Sequence, residues 1–560
     1  MRKFQYTSPP RPRLLFVTMA ALLSLPLLLL FLILPSSAPS SPPPLPPEIA
    51  QACGATRFPS SCHSALSQSP DLPSSPSALQ LLSAAVAAPS DALPSSRSQA
   101  ESILASADAN PARAAAARDC LEHLSLSDRR LSAASAALPA GRLADARAWA
   151  GAALLYQYDC WSALKYVNST RRVADCMASL LDLAALTSNA LSMIAAFQRF
   201  GDDISLWVPP QTERDGYWGD SSAVAAGGGS GSLRPANGAT TFPSDRPPNA
   251  TVCKTGSCDY QSVQDAVAAA PDFASDRFVI VVKAGVYEET VRVPFEKTNL
   301  VLLGEGMGDT VITGSQNVGH NQDVTTYHSA TVGVLGDGFA ARDLTFENTA
   351  GPGAHQAVAF RSDSDQSILE SVEFRGHQDT LYARSLRQLY RKCRIAGTVD
   401  FIFGNSASVF DRCVIEVVPR AEGPRKAGSN PVAAHGRTDP AQATGFVFSG
   451  CAINGSDDYL AAYQRKPGAH RAYLGRPWKE YSRTVYVNCY MGEVVMPEGW
   501  LPWREDFALS TLFYGEYGSS GPGANAAARV GWSSQIPSEH VGLYSVETFI
   551  QGDEWVPSEQ

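Results

Sequence analysis

The architecture of the C-terminal half can be read from ESVEFRGHQDTLYARSLRQLYRKCRIAGTVDFIFGN, residues 370–405. It holds two short runs of one shape, ESVEFRG and RKCRIAG, 21 residues apart, with Val372 and Cys393 at the third position. No helical spacing lies between them. Outward from this stretch the shape recurs in RDLTFEN, DRCVIEV, SGCAING and VNCYMGE, whose third positions are Leu344, Cys413, Cys451 and Cys489. From Leu344 onward the steps are 28, 21, 20, 38 and 38 residues. A step of about twenty residues with no intervening helix is one coil of a parallel β-solenoid, and the longer steps carry loop insertions. An antiparallel sandwich would not bring like residues into register at these steps. Upstream, from about residue 251, the runs FVIVV, ETVRV, NLVLL, DTVIT and ATVGV continue the pattern, separated by glycines and polar turns. The Gly-rich GEGMGDT at 304–310 has no βαβ context and reads as solenoid turns rather than a phosphate loop.

The register has a chemical consequence. Asp379 and Asp400 are 21 residues apart, the step of the repeat, so the carboxylates fall on neighbouring coils. Gln356 and Gln378 are 22 apart, so two amides should stack on the same face. A lone Asp400 in so apolar a run would most simply cap a turn, because a buried carboxylate must be paired, bonded or used. Two close carboxylates instead push their pKa values apart, leaving one protonated and one ionised. Arg476, in YLGRPWKEYSRT, offers a cation for the ionised one, and Trp478 an aromatic face. Amide donors suit an oxyanion, so the set fits acyl transfer through a carboxylate nucleophile. A glycosidase pair is the other use of two carboxylates, but it does not call for the glutamines.

Four cysteines of the repeat share one column at a coil spacing of about 4.8 Å. Cys393 with Cys413 is the expected disulfide, Cys413 with Cys451 the rival, and a column of free thiols the third reading. Cys253 and Cys258 can close a small loop. None of the 11 cysteines forms a CxxC pair or a Cys/His cluster, so no metal and no cofactor is expected.

The rest of the chain reads as separate parts. Residues 1–35 carry basic residues and then an uncharged apolar run, Leu14 to Leu34, a secretory signal that is also long enough to anchor in a bilayer with its N-terminus cytosolic. Residues 36–49 form a Pro/Ser-rich spacer. Residues 50–203 show apolar spacing of three and four in ADARAWAGAALLYQYDCWSAL and RRVADCMASLLDLAALTSNALSMIAAF, the pattern of an all-α helical bundle. Residues 204–250 are Gly/Ser/Pro-rich and read as a linker, and 251–560 hold the all-β solenoid. Sequons at Asn168, Asn249 and Asn454 agree with export. The formal net charge of -9 gives no reason to expect nucleic acid.

GVYEE, QAVAF, QDTLY, DFIFGN, YLGRPWKEYSRT, LFYGEY and GPGA together resemble the signature segments of plant pectin methylesterases, from about Tyr260 to beyond Trp532. CGATRFPSSC, ARDCLEHL, YQYDCWSAL and LTSNALSMI resemble the pectin methylesterase inhibitor domain. The resemblance implies a four-helix bundle joined to a right-handed parallel β-helix, a two-domain pro-enzyme acting as a monomer on the methyl esters of homogalacturonan in the cell wall. It implies Asp400 as nucleophile, Asp379 as acid and base, Gln378 and Gln356 as oxyanion donors, and Arg476 holding Asp400 and contacting substrate. Thr326 and Trp478 take substrate-binding positions. In the bundle it implies disulfides Cys53–Cys62 and Cys120–Cys160, with Cys176 spare. Three departures stand out. His377 replaces an aromatic residue before QDTL, His435-Gly436 replaces Gln-Gly before RTDP, and the linker lacks the dibasic processing site, the one DRRL falling inside a helical stretch at 128–131. A β-helical lyase should show a calcium-binding carboxylate cluster, and a polygalacturonase three aspartates. Neither is visible. The remaining alternative is an inhibitor-like protein with a catalytically weak esterase domain.

Overall fold

The computed structural model describes residues 46–107, 110–219, 247–320, 324–420 and 428–557. The apolar run 14–34 and residues 36–45 of the Pro/Ser spacer lie outside them. Six helices come first: α1 (Pro47–Gly54), α2 (Pro59–Ser67), α3 (Ala78–Ala105), α4 (Pro111–Ala137), α5 (Leu143–Lys165) and α6 (Arg171–Phe200). Their starts follow the chemistry of the ends. Ser77 and Gln80 cap α3 reciprocally, and Asn110 and Thr170 accept from the first turns of α4 and α6. The four long helices bury an Ala/Leu-rich core, and the small alanines let them approach closely. Disulfides join Cys53 to Cys62 and Cys120 to Cys160, while Cys176 is free and buried.

From Ala250 the chain winds into a right-handed parallel β-helix. Among the described residues a smaller sheet of seven parallel strands runs in the order 470–475, 428–435, 402–404, 381–383, 360–362, 332–334, 291–293, and the remaining strands build the other faces. The repeat column is in register: Val372 sits beside Leu344, and the flanking pairs Arg394↔Val414, Val414↔Ala452 and Ala452↔Tyr490 align the four cysteines. Each column residue follows a corner in the left-handed region, at Asp343, Ser371, Lys392, Arg412, Gly450 and Asn488. That corner turns one strand into the next. Inside, a ladder of rings, Tyr390, Phe410, Phe448 and Tyr486, stacks at 4.8, 4.6 and 4.4 Å.

Cys393 and Cys413 are not bonded to each other. They, Cys451 and Cys489 are all free and buried. Each thiol instead donates to a carbonyl of the preceding coil: Cys393 to Leu369, Cys413 to Tyr390, Cys451 to Phe410 and Cys489 to Phe448, at 3.1 to 3.4 Å. In-register stacking makes the side chains parallel, so backbone carbonyls compete with the neighbouring sulfur. Cys253 and Cys258 are bonded. Of the sequons, Asn168 and Asn249 are exposed, whereas Asn454 is partly buried inside strand 452–455.

The first third of the expected linker is packed. Trp207 is buried, and Trp218 stacks on His540 at 4.6 Å. Residues 220–246 of the linker lie outside the described residues, and its last residue, Ala250, opens the first strand. Bundle and β-helix form one compact unit. Their contact follows the loops at the C-terminal ends of the smaller sheet's strands. Arg130 binds Asp337 through two bonds of 2.7 Å, Asp159 binds Arg384 at 2.8 Å, and Asp145 binds Arg387 at 2.6 Å.

Candidate active site

Asp379 and Asp400 occupy equivalent corners, each immediately before a strand of the smaller sheet, with φ of 65° and 48°. The left-handed region is uncommon for a non-glycine side chain, and such strain gathers at functional sites. Backbone bonds set the stacking: Asp379 N–H donates to Val399 O at 3.2 Å and Asp400 N–H to Pro431 O at 2.8 Å. One coil earlier, Ala357 N–H donates to Gln378 O at 3.2 Å, which puts Gln356 over Gln378. The 22-residue step is absorbed where Ala359 and Phe360 both donate to Thr380 O, at 2.9 and 3.3 Å. So the two acids and the two glutamines come together on adjacent coils. Neither glutamine amide makes a side-chain hydrogen bond among the described residues.

Arg476 follows strand 470–475 and reaches Asp400 with both prongs, Nε to Oδ1 at 2.7 Å and Nη2 to Oδ2 at 2.5 Å. This bidentate pair fixes the carboxylate plane. Both acids are at least 92% buried, since 8% of Asp379 and 6% of Asp400 is exposed. Burial pushes the Asp379 carboxyl well above the usual range, and the Asp400 charge adds to it, with only Arg476 opposing. Burial also raises Asp400, but the bonds and charge of Arg476 pull it back, with Arg420 helping. The chemistry this permits is a protonated Asp379 beside an ionised Asp400.

Trp478 stands on the same loop as Arg476, 5.9 Å from Phe403, and Phe403 stacks on Tyr382 at 4.1 Å. The Arg476 guanidinium lies 4.2 Å over the Trp503 ring. Tyr382, Phe403 and Trp503 were not among the sequence candidates. The first two are detectable, since they repeat the 21-residue step three residues after each aspartate. Trp503 sits in a loop without periodicity. Thr326 lies in the turn before strand 332–334, and no hydrogen bond links its side chain to the acids. His377 is partly buried, which lowers its pKa, and its Nδ1 has no partner. Among the described residues no cluster of His, Cys, Asp or Glu could hold a metal.

A helical shell also reaches this region. Tyr158 of α5 accepts a bond from Lys479 at 2.9 Å, and the Lys479 ammonium lies 4.7 Å from the Trp478 ring.

A buried, Arg-clamped carboxylate beside a second one of raised pKa on a parallel β-helix is the equipment of a carboxylic ester hydrolase. The pectinesterase family model matches residues 249–553, and the plant invertase/pectin methylesterase inhibitor model matches 47–193. A probable pectinesterase/pectinesterase inhibitor of Arabidopsis thaliana is 52% identical over 512 residues, 91% of this chain and 84% of that protein. A pectinesterase/pectinesterase inhibitor of Ficus pumila var. awkeotsang is 46% identical over 321 residues, 57% of each chain. The solved pectin methylesterase from carrot is 46% identical with a TM-score of 0.53, covering 55% of this chain and 95% of its own. The chain belongs to the pectinesterase family, with an inhibitor domain ahead of the catalytic one.

Proposed function

We propose that the chain hydrolyses the methyl esters of homogalacturonan through Asp400 and Asp379. The observation that carries this reading is the bidentate Arg476 clamp on Asp400, with the buried Asp379 carboxyl pushed well above its ordinary range one coil away. The Asp400 carboxylate attacks the ester carbonyl, and the electron pair moves onto the carbonyl oxygen. Gln378 and Gln356 donate to that oxyanion. As the tetrahedral centre collapses, the C–OCH3 bond breaks and Asp379 gives its proton to the departing methoxide. An anhydride of Asp400 and the uronate remains. Asp379, now ionised, takes a proton from water, which attacks the anhydride. Asp400 leaves as carboxylate and Asp379 is protonated again. Trp478 and Thr326 are assigned to substrate, and the rings around Arg476 suit the apolar faces of sugar units.

The bundle's place supports a regulatory reading. It covers the C-terminal ends of the smaller sheet's strands and contacts Lys479 beside Trp478, so it restricts the groove in cis. Export to the cell wall accords with the basic-then-apolar N-terminus and with exposed Asn168 and Asn249. The test uses methyl-esterified homogalacturonan and residues 247–560. One methanol should appear per carboxylate freed, with no new reducing ends and no unsaturated uronate. Chain cleavage without methanol would replace this reading with a depolymerase.

A further inference from the structure

A cavity of about 680 Å³ lies between the bundle and the β-helix, and neither Asp379 nor Asp400 lines it. It sits at the C-terminal ends of the smaller sheet's strands, whereas both aspartates precede theirs. Three guanidiniums meet there from different elements: Arg147 of α5, Arg437 just after strand 428–435, and Arg483 at the start of strand 483–487. Arg437 is 1% exposed, yet it donates to the carbonyls of Asp439 and Pro440 and to no carboxylate. Arg147 binds the Ala441 carbonyl at 2.8 Å and the Gln198 amide oxygen at 3.2 Å. Neither has a carboxylate of its own. Arg483 pairs with Glu213 at 3.0 Å, and its Nε is buried without a partner. Glu213 Oε2 is likewise buried and unpartnered. The nearby Asp439 is bound by Arg57 at 3.2 Å and Ser188 at 2.6 Å.

Arg142 and Arg387 in the same lining pair with Asp145, whereas Arg147, Arg437 and Arg483 have one bonded carboxylate between them, Glu213, which Arg483 holds. Buried charge without compensation is costly and lowers the pKa of the cations themselves. Burial and the charge of Arg483 hold Arg437 down to about 9 and Arg147 down to about 10. Guanidinium forks match the paired oxygens of phosphate and carboxylate. The rim carries exposed Glu547 and Asp553, which disfavour a long polyanion and admit a compact one.

We propose that this cavity binds a compact dianionic oxyanion, held by Arg147, Arg437 and Arg483. Because Arg147 belongs to the bundle and the other two to the β-helix, the bound anion ties the inhibitor-like half to the catalytic half. The chemistry fits inorganic phosphate and a short uronate such as digalacturonate, and the two sources are told apart by titration.

The experiment uses the whole chain in chloride buffer at constant ionic strength. Inorganic phosphate, sulfate and digalacturonate are titrated by calorimetry, with melting temperature followed in parallel. One saturable site per chain is expected, with a higher melting temperature, and the tighter ligand identifies the source. Arg147→Gln and Arg437→Gln should each weaken binding about tenfold or more. Glu213→Gln should tighten it, because it removes the competing carboxylate. That opposite sign keeps the test decisive even where Arg437→Gln fails to fold. The proposal is overturned where none of the three anions saturates a single site, or where Arg147→Gln and Glu213→Gln both leave the affinity unchanged.

Discussion

Asp379 and Asp400 are the same side chain in nearly the same backbone setting, and one neighbour separates them. Arg476 gives two hydrogen bonds to Asp400 and none to Asp379. The fully competent state therefore needs Asp400 ionised and Asp379 protonated. kcat/KM should fall at low pH as Asp400 takes a proton and at high pH as Asp379 loses its own. Replacing the clamp by Arg476→Lys removes the bidentate geometry, so the Asp400 pKa should rise further. The acid limb of the pH profile should then move to higher pH, and an unmoved limb would detach Arg476 from Asp400. Stability gives an independent reading. Asp379 has a raised native pKa, so the native state holds its proton more tightly than the unfolded chain does. Its contribution is complete below the ordinary carboxyl range and is lost as pH rises through the native value. Asp379→Asn should be inactive, yet its melting temperature should gain on the wild type as pH increases, by about 1–4 °C. A gain that shrinks with pH would contradict the assignment. At this scale the pair was legible because 21 residues is also the coil step. The Arg476 partnership, 76 residues from Asp400, carries no periodicity, and only the likeness of YLGRPWKEYSRT to a family motif pointed to it.

The coil is the unit in which sequence and structure agree most directly. A left-handed corner, then an inward apolar or cysteine side chain, then a strand recurs from Asp343–Leu344 to Asn488–Cys489. Parallel in-register pairing turns that one-dimensional spacing into a three-dimensional column, so the fold was readable. The bonding state of the cysteines was not. Coil spacing satisfies the Cα separation of a disulfide, but it does not fix where the thiols point. The structure gives every column thiol a carbonyl partner, and burial pushes Cys413, Cys451 and Cys489 upward, away from reactive thiolate. Six of the 11 cysteines lie in three disulfides, which leaves five. Alkylation under denaturing, non-reducing conditions should therefore label five sites, including all four of the column, and native protein should resist labelling there. Three labelled sites would mean a disulfide inside the β-helix.

On the scale of the molecule, the seam between the two halves is polar and specific. Arg384 is shared between Asp159 of the bundle and Asp363 of the preceding coil, and Trp149 donates to Asp365 at 2.9 Å. The partners across the seam lie more than 200 residues apart in sequence, and each alone looks like an ordinary surface charge or helix residue. That is why the two halves were recognisable from the chain and their docking was not. Losing Asp159 deletes a charge-assisted contact across the seam, worth about 1.5–3 kcal/mol, while Asp363 still compensates Arg384. Asp159→Ala should thus loosen the bundle and raise methanol release by the full chain toward that of residues 247–560. An unchanged rate would mean that the bundle does not restrain the groove. Beneath all of this stands the claim that Asp400 is the attacking group, and the most direct measurement is methanol release by residues 247–560 carrying Asp400→Asn. The change keeps the volume and removes the charge. With circular dichroism matching the wild type, the rate should fall roughly 10³-fold or more. A folded variant that still releases methanol at a tenth of the wild-type rate or faster would contradict the account.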